Sequence, residues 1–138
     1  MDKQQQQVRE FMLAMEQPTP DKPTMLDRRD GRLQMRVGLI QDELKLAAGW
    51  KELQPKDLVP GEPRHLDMID ALVDILYVTN GMAIEMGVDL EPFWDEVHAA
   101  NMRKVGGPIR EDGKRLKPPG WRAPDIAAVF ARHYGPQR

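Results

Sequence analysis

Hydrophobic residues recur along this chain mostly at helical spacing, and nowhere with the alternation that marks a half-buried strand. Val8, Phe11, Met12 and Met15 stand at i, i+3, i+4 and i+7, which predicts a first helix over residues 2–15 with those side chains inward. Residues 17–24 (QPTPDKPT) carry three prolines and read as an extended linker, because proline fixes φ and lacks the amide hydrogen. From about 26 to 48, Leu33, Val37, Ile40, Leu44 and Ala47 form a seam stepping by four and three, and predict a second helix. Residues 53–63 (LQPKDLVPGEP) are a Pro/Gly loop.

The third predicted helix, 65–87, is apolar on nearly every side through Met68, Ile69, Ala71, Leu72, Val73, Ile75, Leu76 and Val78. Such a helix is expected to be central and buried, with Gly87 ending it. A fourth, 90–104, carries Phe93, Val97 and Ala100. Residues 105–122 hold four glycines, three prolines and five basic residues, too punctuated for regular structure. Pro124 suits the first position of a last short helix, Asp125–His133, with Ile126, Val129 and Phe130 inward.

These elements predict an all-α bundle of four to five helices. Its parts are an N-terminal helix within 1–16, a Pro-rich linker at 17–24, and a main domain over 25–138 carrying the basic Gly/Pro loop at 105–122. A chain of 138 residues buries only a modest core, so a third helix apolar all round calls for a subunit interface to complete its cover. A homodimer or a dimer of dimers is expected.

Composition narrows the function classes. Hydrophobic residues make up 41% and charged residues 30%, as in ordinary soluble domains. A net charge of −2 argues against broad binding to nucleic acid, which needs a dense basic face. No apolar run approaches the roughly 18 residues of a membrane span. The start, MDKQQQQVREF, has neither the apolar core of a secretory signal nor the acid-poor character of a transit peptide, so a cytoplasmic location is expected. Without cysteine there is no disulfide, thiol nucleophile or thiolate-bound metal, and His65, His98 and His133 lie far apart in the chain.

The acids carry the candidate chemistry. Asp70 and Asp74 are one helical turn apart and Asp67 one turn earlier, so all three share a face of the apolar third helix. Ionised carboxylates there need something positive to offset their desolvation. On the second helix Glu43 falls beside the seam, between Ile40 and Ala47, with Asp42 next to it. Oxygen ligands from two facing helices are what a bundle uses to hold Mg²⁺. Capping, or ion pairs to Arg32, Arg36 or Lys45, would account for the same residues, and spacing leaves both readings open. Asn101 and Lys104, with His98 one turn before, form a polar ridge on the fourth helix.

Four stretches in order, LIQDELKL (39–46), DALVDILYVTNGMAIEMGVDL (70–90), EVHAANMRK (96–104) and EDGKRLKPPGWRAPDI (111–126), resemble the MazG-like pyrophosphohydrolases. The branch they look most like is the short dimeric enzymes acting on dUTP, relatives of the phosphoribosyl-ATP pyrophosphohydrolases. The resemblance covers roughly residues 33–126, and its tail, Asn-x-x-Lys followed by Asp-Gly-Lys-x-x-Lys-Pro-x-Gly-Trp, is its most specific part.

That resemblance implies an all-α MazG-like bundle and a metal-dependent hydrolysis of nucleoside triphosphate to monophosphate and pyrophosphate, with Mg²⁺ or Mn²⁺ as the cation. The family's metal motif, Glu-Glu-x-x-Glu then Glu-x-x-Asp, places its first pair on Asp42 and Glu43 and its last aspartate on Asp74. The resemblance thus assigns Asp42 and Glu43 to catalysis, and Glu43, Asp70 and Asp74 to the metal. Asn101, Lys104, Lys114 and Lys117 become nucleotide contacts, Trp121 a pin for the basic loop, and Tyr77 or Trp94 either core residues or walls of a base pocket. Two motif positions depart: the remaining glutamates fall on Leu46 and Ala71, with Asp70 a substitute one position early. The departure bears on catalysis rather than on fold, and a nucleotide-binding member with weakened catalysis is the alternative reading.

Overall fold

A computed structural model describes residues 1–54, 56 and 59–135. The described residues form five α-helices: α1 Lys3–Ala14, α2 Arg32–Ala48, α3 Pro63–Glu85, α4 Glu91–Met102 and α5 Ile126–Tyr134, with a short 3₁₀ turn, Gly49–Glu52, after α2. The loop expected over 53–63 includes positions 55, 57 and 58, which lie outside the described residues. The only pairing of extended backbone among those residues is an isolated antiparallel bridge between Ile109 and Arg115. Among them, too, no helix is long and apolar enough to cross a membrane. Two compact units divide the chain, Met1–Val88 and Asp89–Arg138.

In the first unit, α1 starts where Asp2 caps it, its carboxylate accepting from the Gln5 N–H at 2.8 Å. Val8 and Met12 are buried with Ile84 of α3 as the core, but Phe11 and Met15 stay exposed. The inward stripe is therefore narrower than the sequence predicts. In this unit α1 packs chiefly on α3 and touches α2 where the Arg36 guanidinium meets the Met12 sulfur at 3.8 Å, so its main contact covers one row of side chains. That row also takes in Gln5, fully buried, whose amide donates to the Val88 carbonyl at 2.6 Å.

Helix α2 begins at Arg32, not near residue 26. Asp27 accepts from the Arg29 N–H at 2.8 Å and Asp30 from the Arg32 N–H at 3.0 Å, so short acids hold a turn where the helix was expected. The proline-rich segment before it lies against the end of α3: the Thr24 N–H donates to the Met86 carbonyl at 2.8 Å. Gly87, at φ 68°, terminates α3 as expected, and its α-carbon faces the Lys22 carbonyl with no room for a side chain.

Helix α3 corrects a stronger expectation. Burial gathers at its C-terminal end, from Asn80 to Glu85, and at Ala71. Leu66, Ile69, Leu72, Val73 and Leu76 are between 46% and 54% exposed. In this unit two helices, α1 and α2, pack on α3, and two neighbours leave one flank of a third helix bare.

The second unit joins α4 and α5 through the basic loop. Asp125 caps α5, accepting from the Ala128 N–H at 2.9 Å, so Pro124 precedes the cap and is not the first helical residue. Val129 is buried and Phe130 half-buried, whereas Ile126, expected inward, is exposed. Trp94 is exposed as well, which rules out a core role within its unit.

Candidate functional site

On α2, Arg36, Ile40, Glu43 and Ala47 recur at four- and three-residue steps and share one stripe. The stripe faces α3, because Arg36 and Arg32 both bond the Glu85 carboxylate near the end of that helix. On α3, Glu85, Val78, Asp74 and Ala71 share the corresponding stripe. Glu43 and Asp74, both half-buried, thus lie on the facing sides of one helix pair. Asp42, Asp67 and Asp70 are exposed. Leu46 is 60% exposed and Ala71 buried, so neither motif departure is filled by a polar atom of its own side chain.

These carboxylates do not fit a complete metal site. Among the described residues no three acid or histidine side chains come together closely enough to hold an ion.

The strongest charge cluster of the seam lies elsewhere. The sequence offered Arg32 and Arg36 as partners for Asp70 and Asp74; in the structure both pair with Glu85, which is 3% exposed. Burial pushes the Glu85 carboxyl up, but the two guanidinium hydrogen bonds and their charges outweigh it and hold the group below the usual range. One carboxylate faces two guanidiniums, and a further Arg36 N–H is taken by the neutral Gln17 side chain at 2.8 Å. Gly81 makes the room: a Cβ there would stand 2.8 Å from Arg36 Nη1. Sequence reasoning missed Glu85 and Gln17. The available signal was the Arg32/Arg36 spacing of one turn beside the apolar seam of α2, where a buried guanidinium calls for an acid opposite.

Between α1 and α3 lies a groove of about 300 Å³ lined by Gln4, Gln7, Val8, Val73, Leu76, Tyr77 and Asn80. Tyr77 is neither core nor free there: its ring meets Phe11 edge-on at 5.7 Å.

In the second unit Lys104 lies just past the end of α4, and its ammonium donates to the Asn101 side-chain oxygen at 3.0 Å. The same ammonium is 5.4 Å from the centre of the Trp121 ring, and that of Lys117 is 4.5 Å from it. Trp121 is anchored in turn, its indole N–H donating to the Ala100 carbonyl at 2.7 Å. A cation over an indole face gains about 0.5–1 kcal/mol at such accessible positions. Lys114 and His98 are exposed. Among the described residues none of the three lysines has a carboxylate partner, whereas Arg110 pairs with Asp112.

A sequence profile of the phosphoribosyl-ATP pyrophosphohydrolases matches residues 8–101, about two thirds of the chain. The chain belongs to the phosphoribosyl-ATP pyrophosphohydrolase family. The matched stretch takes in Asp42, Glu43, Asp70, Asp74 and Asn101 and ends before Lys104, Lys114 and Lys117. No curated protein is significantly similar to the chain. Membership in this pyrophosphohydrolase family occurs here with five helices and, among the described residues, no cluster of three acids.

Proposed function

We propose that the protein binds nucleoside triphosphates as a catalytically weakened member of its family. The observation that carries this reading is the pair of motif departures: Leu46 and Ala71 stand where the family motif has glutamates, and among the described residues no three acids gather on the seam of Glu43 and Asp74. Support for binding comes from the lysines around Trp121, which have no carboxylate partner among the described residues and suit phosphate oxygens as point charges. Asn101 and Lys114 belong to the same reading. Asp42 and Asp70, exposed, stand as assisting acids rather than as a preformed cage.

A full metal-dependent pyrophosphohydrolase is the second reading, favoured by Glu43 and Asp74 sharing one helix seam. In that case water attacks a phosphoanhydride, and Mg²⁺ or Mn²⁺ supplies charge neutralisation at the phosphate oxygens when bound. The reading also includes a second copy of the chain over the bare apolar face of α3.

The deciding measurement pairs two assays on a panel of NTPs and dNTPs, dUTP among them. The expected result is a rise in melting temperature with at least one nucleotide, equivalent to about 2.7 kcal/mol at a hundredfold excess over Kd, with pyrophosphate release slower than about 1 s⁻¹, the low end for enzymes. Faster, metal-dependent release moves the protein to the second reading. Neither stabilisation nor release would leave a purely structural helical protein.

A further inference from the structure

The basic loop of the second unit is more ordered than its glycines and prolines suggest. The Arg110 N–H donates to the Lys114 carbonyl and the Leu116 N–H to the Pro108 carbonyl, both at 2.7 Å. Gly107 sits against the Leu116 carbonyl with no room for a Cβ. Three arginines around it are occupied: Arg110 by Asp112, Arg115 by the Gly107 carbonyl at 2.8 Å, and Arg103 by the Arg122 carbonyl at 3.0 Å. Lys104 and Lys117 meet no carboxylate among the described residues, Lys104 donating to the neutral Asn101 side-chain oxygen at 3.0 Å. Their ammoniums come from separate segments, meet at one neutral ring, and lie no more than about 10 Å apart. Like charges gathered without a carboxylate repel one another, and an anion placed between them removes that repulsion.

We propose that Trp121 is a positioning residue, holding Lys104 and Lys117 as a paired clamp for two linked phosphate groups. The ligand is a diphosphate moiety, either within a nucleotide or as free pyrophosphate. The indole does this because its ring attracts both cations without neutralising either, and because its own N–H is tied to Ala100. Two ammoniums converging from different segments match charge spread over two linked phosphates better than one. This inference rests on the nucleotide reading above and names the residue that organises its phosphate contacts.

The test is calorimetric binding of inorganic pyrophosphate to the full chain in EDTA, with orthophosphate and dUTP alongside. Trp121→Leu is expected to weaken pyrophosphate binding about tenfold, and Trp121→Phe, which keeps a π face, by less than threefold. Lys104→Ala and Lys117→Ala should be coupled in the parent, their combined loss differing from the product of the single losses, and independent in the Trp121→Leu background. That change in coupling is a readout that a packing role for Trp121 would not move. Should Trp121→Leu fail to fold, the lysine pair in the parent and in Trp121→Phe carries the test, and additive losses there overturn the clamp. Equal affinity for orthophosphate and pyrophosphate also overturns it. If Trp121→Leu binds pyrophosphate as the parent does, or if dUTP binds and pyrophosphate does not, Trp121 has no such role and the nucleotide reading survives. A parent that binds neither ligand in EDTA overturns the clamp, and one that binds no dUTP with Mg²⁺ either sinks the nucleotide reading as well. Parallel Trp121 dependence for dUTP and pyrophosphate assigns the clamp to substrate as well as product; dependence for pyrophosphate alone assigns it to product.

Discussion

Glu85 shows how one buried acid can organise a helix pair. Its carboxylate is out of water and faces two guanidiniums, and removing one partner of such a group leaves the others uncompensated. Glu85→Gln is expected to cost roughly 3 kcal/mol at neutral pH, read as a lower midpoint in urea. The pH dependence follows from the depressed carboxyl. A group whose pKa is lower folded than unfolded contributes its full stability above the unfolded value, here the ordinary 4.5, and loses it as pH falls toward the folded value. Melting temperature should therefore decline below that ordinary value in the parent, and decline less steeply in Glu85→Gln. An identical acid slope in both proteins would show that other carboxylates govern acid unfolding.

Among the elements, α2 and α3 carry the test of the motif departures. Leu46 is exposed and Ala71 buried, so the two positions respond differently to an added acid. Leu46→Glu introduces a carboxylate in water at little cost. Ala71→Glu places a longer, charged side chain in a packed position, which needs a cation or a shift of the helix to accommodate it. The double variant is expected to bind Mn²⁺ about tenfold more tightly than the parent, with the two changes non-additive because the acids repel without metal. Titration calorimetry on the parent, both single variants and the double variant checks this. A folded double variant with unchanged Mn²⁺ affinity would remove Leu46 and Ala71 from the motif, and the reading of weakened catalysis with them.

The whole molecule raises the question of what covers α3. Leu66, Ile69, Leu72, Val73 and Leu76 form a bare apolar flank on a single chain of 15.8 kDa, and Leu44 and Leu46 of α2 are exposed too. Contiguous apolar surface of this kind marks an interaction face. If a second copy covers it, light scattering should give about twice the chain mass at micromolar concentration. Leu72→Asp should then shift the population to monomer with its helix content kept, since this side chain is already half exposed in the single chain. A parent that stays monomeric across that range excludes the interface.

Five helices, with ends within a few residues of those observed except at the start of α2, were legible in the sequence. Periodicity and caps such as Gly87 and Asp125 act within one or two turns, so neighbours in the chain suffice to define them. The first turn of the expected α2 was misread because Asp27 and Asp30 compete locally for backbone hydrogens. Family membership was legible too, because the stretches that carry the resemblance are each contiguous in the chain. Tertiary structure decided what spacing leaves open. It sent Arg32 and Arg36 to Glu85 rather than to Asp70 and Asp74, buried Gln5 while exposing Phe11, and set Lys104 and Lys117 on one tryptophan. Apart from Lys117 and Trp121, four residues apart, these pairings join residues distant in the chain, and their free energy depends on which surfaces the folded backbone brings together and removes from water.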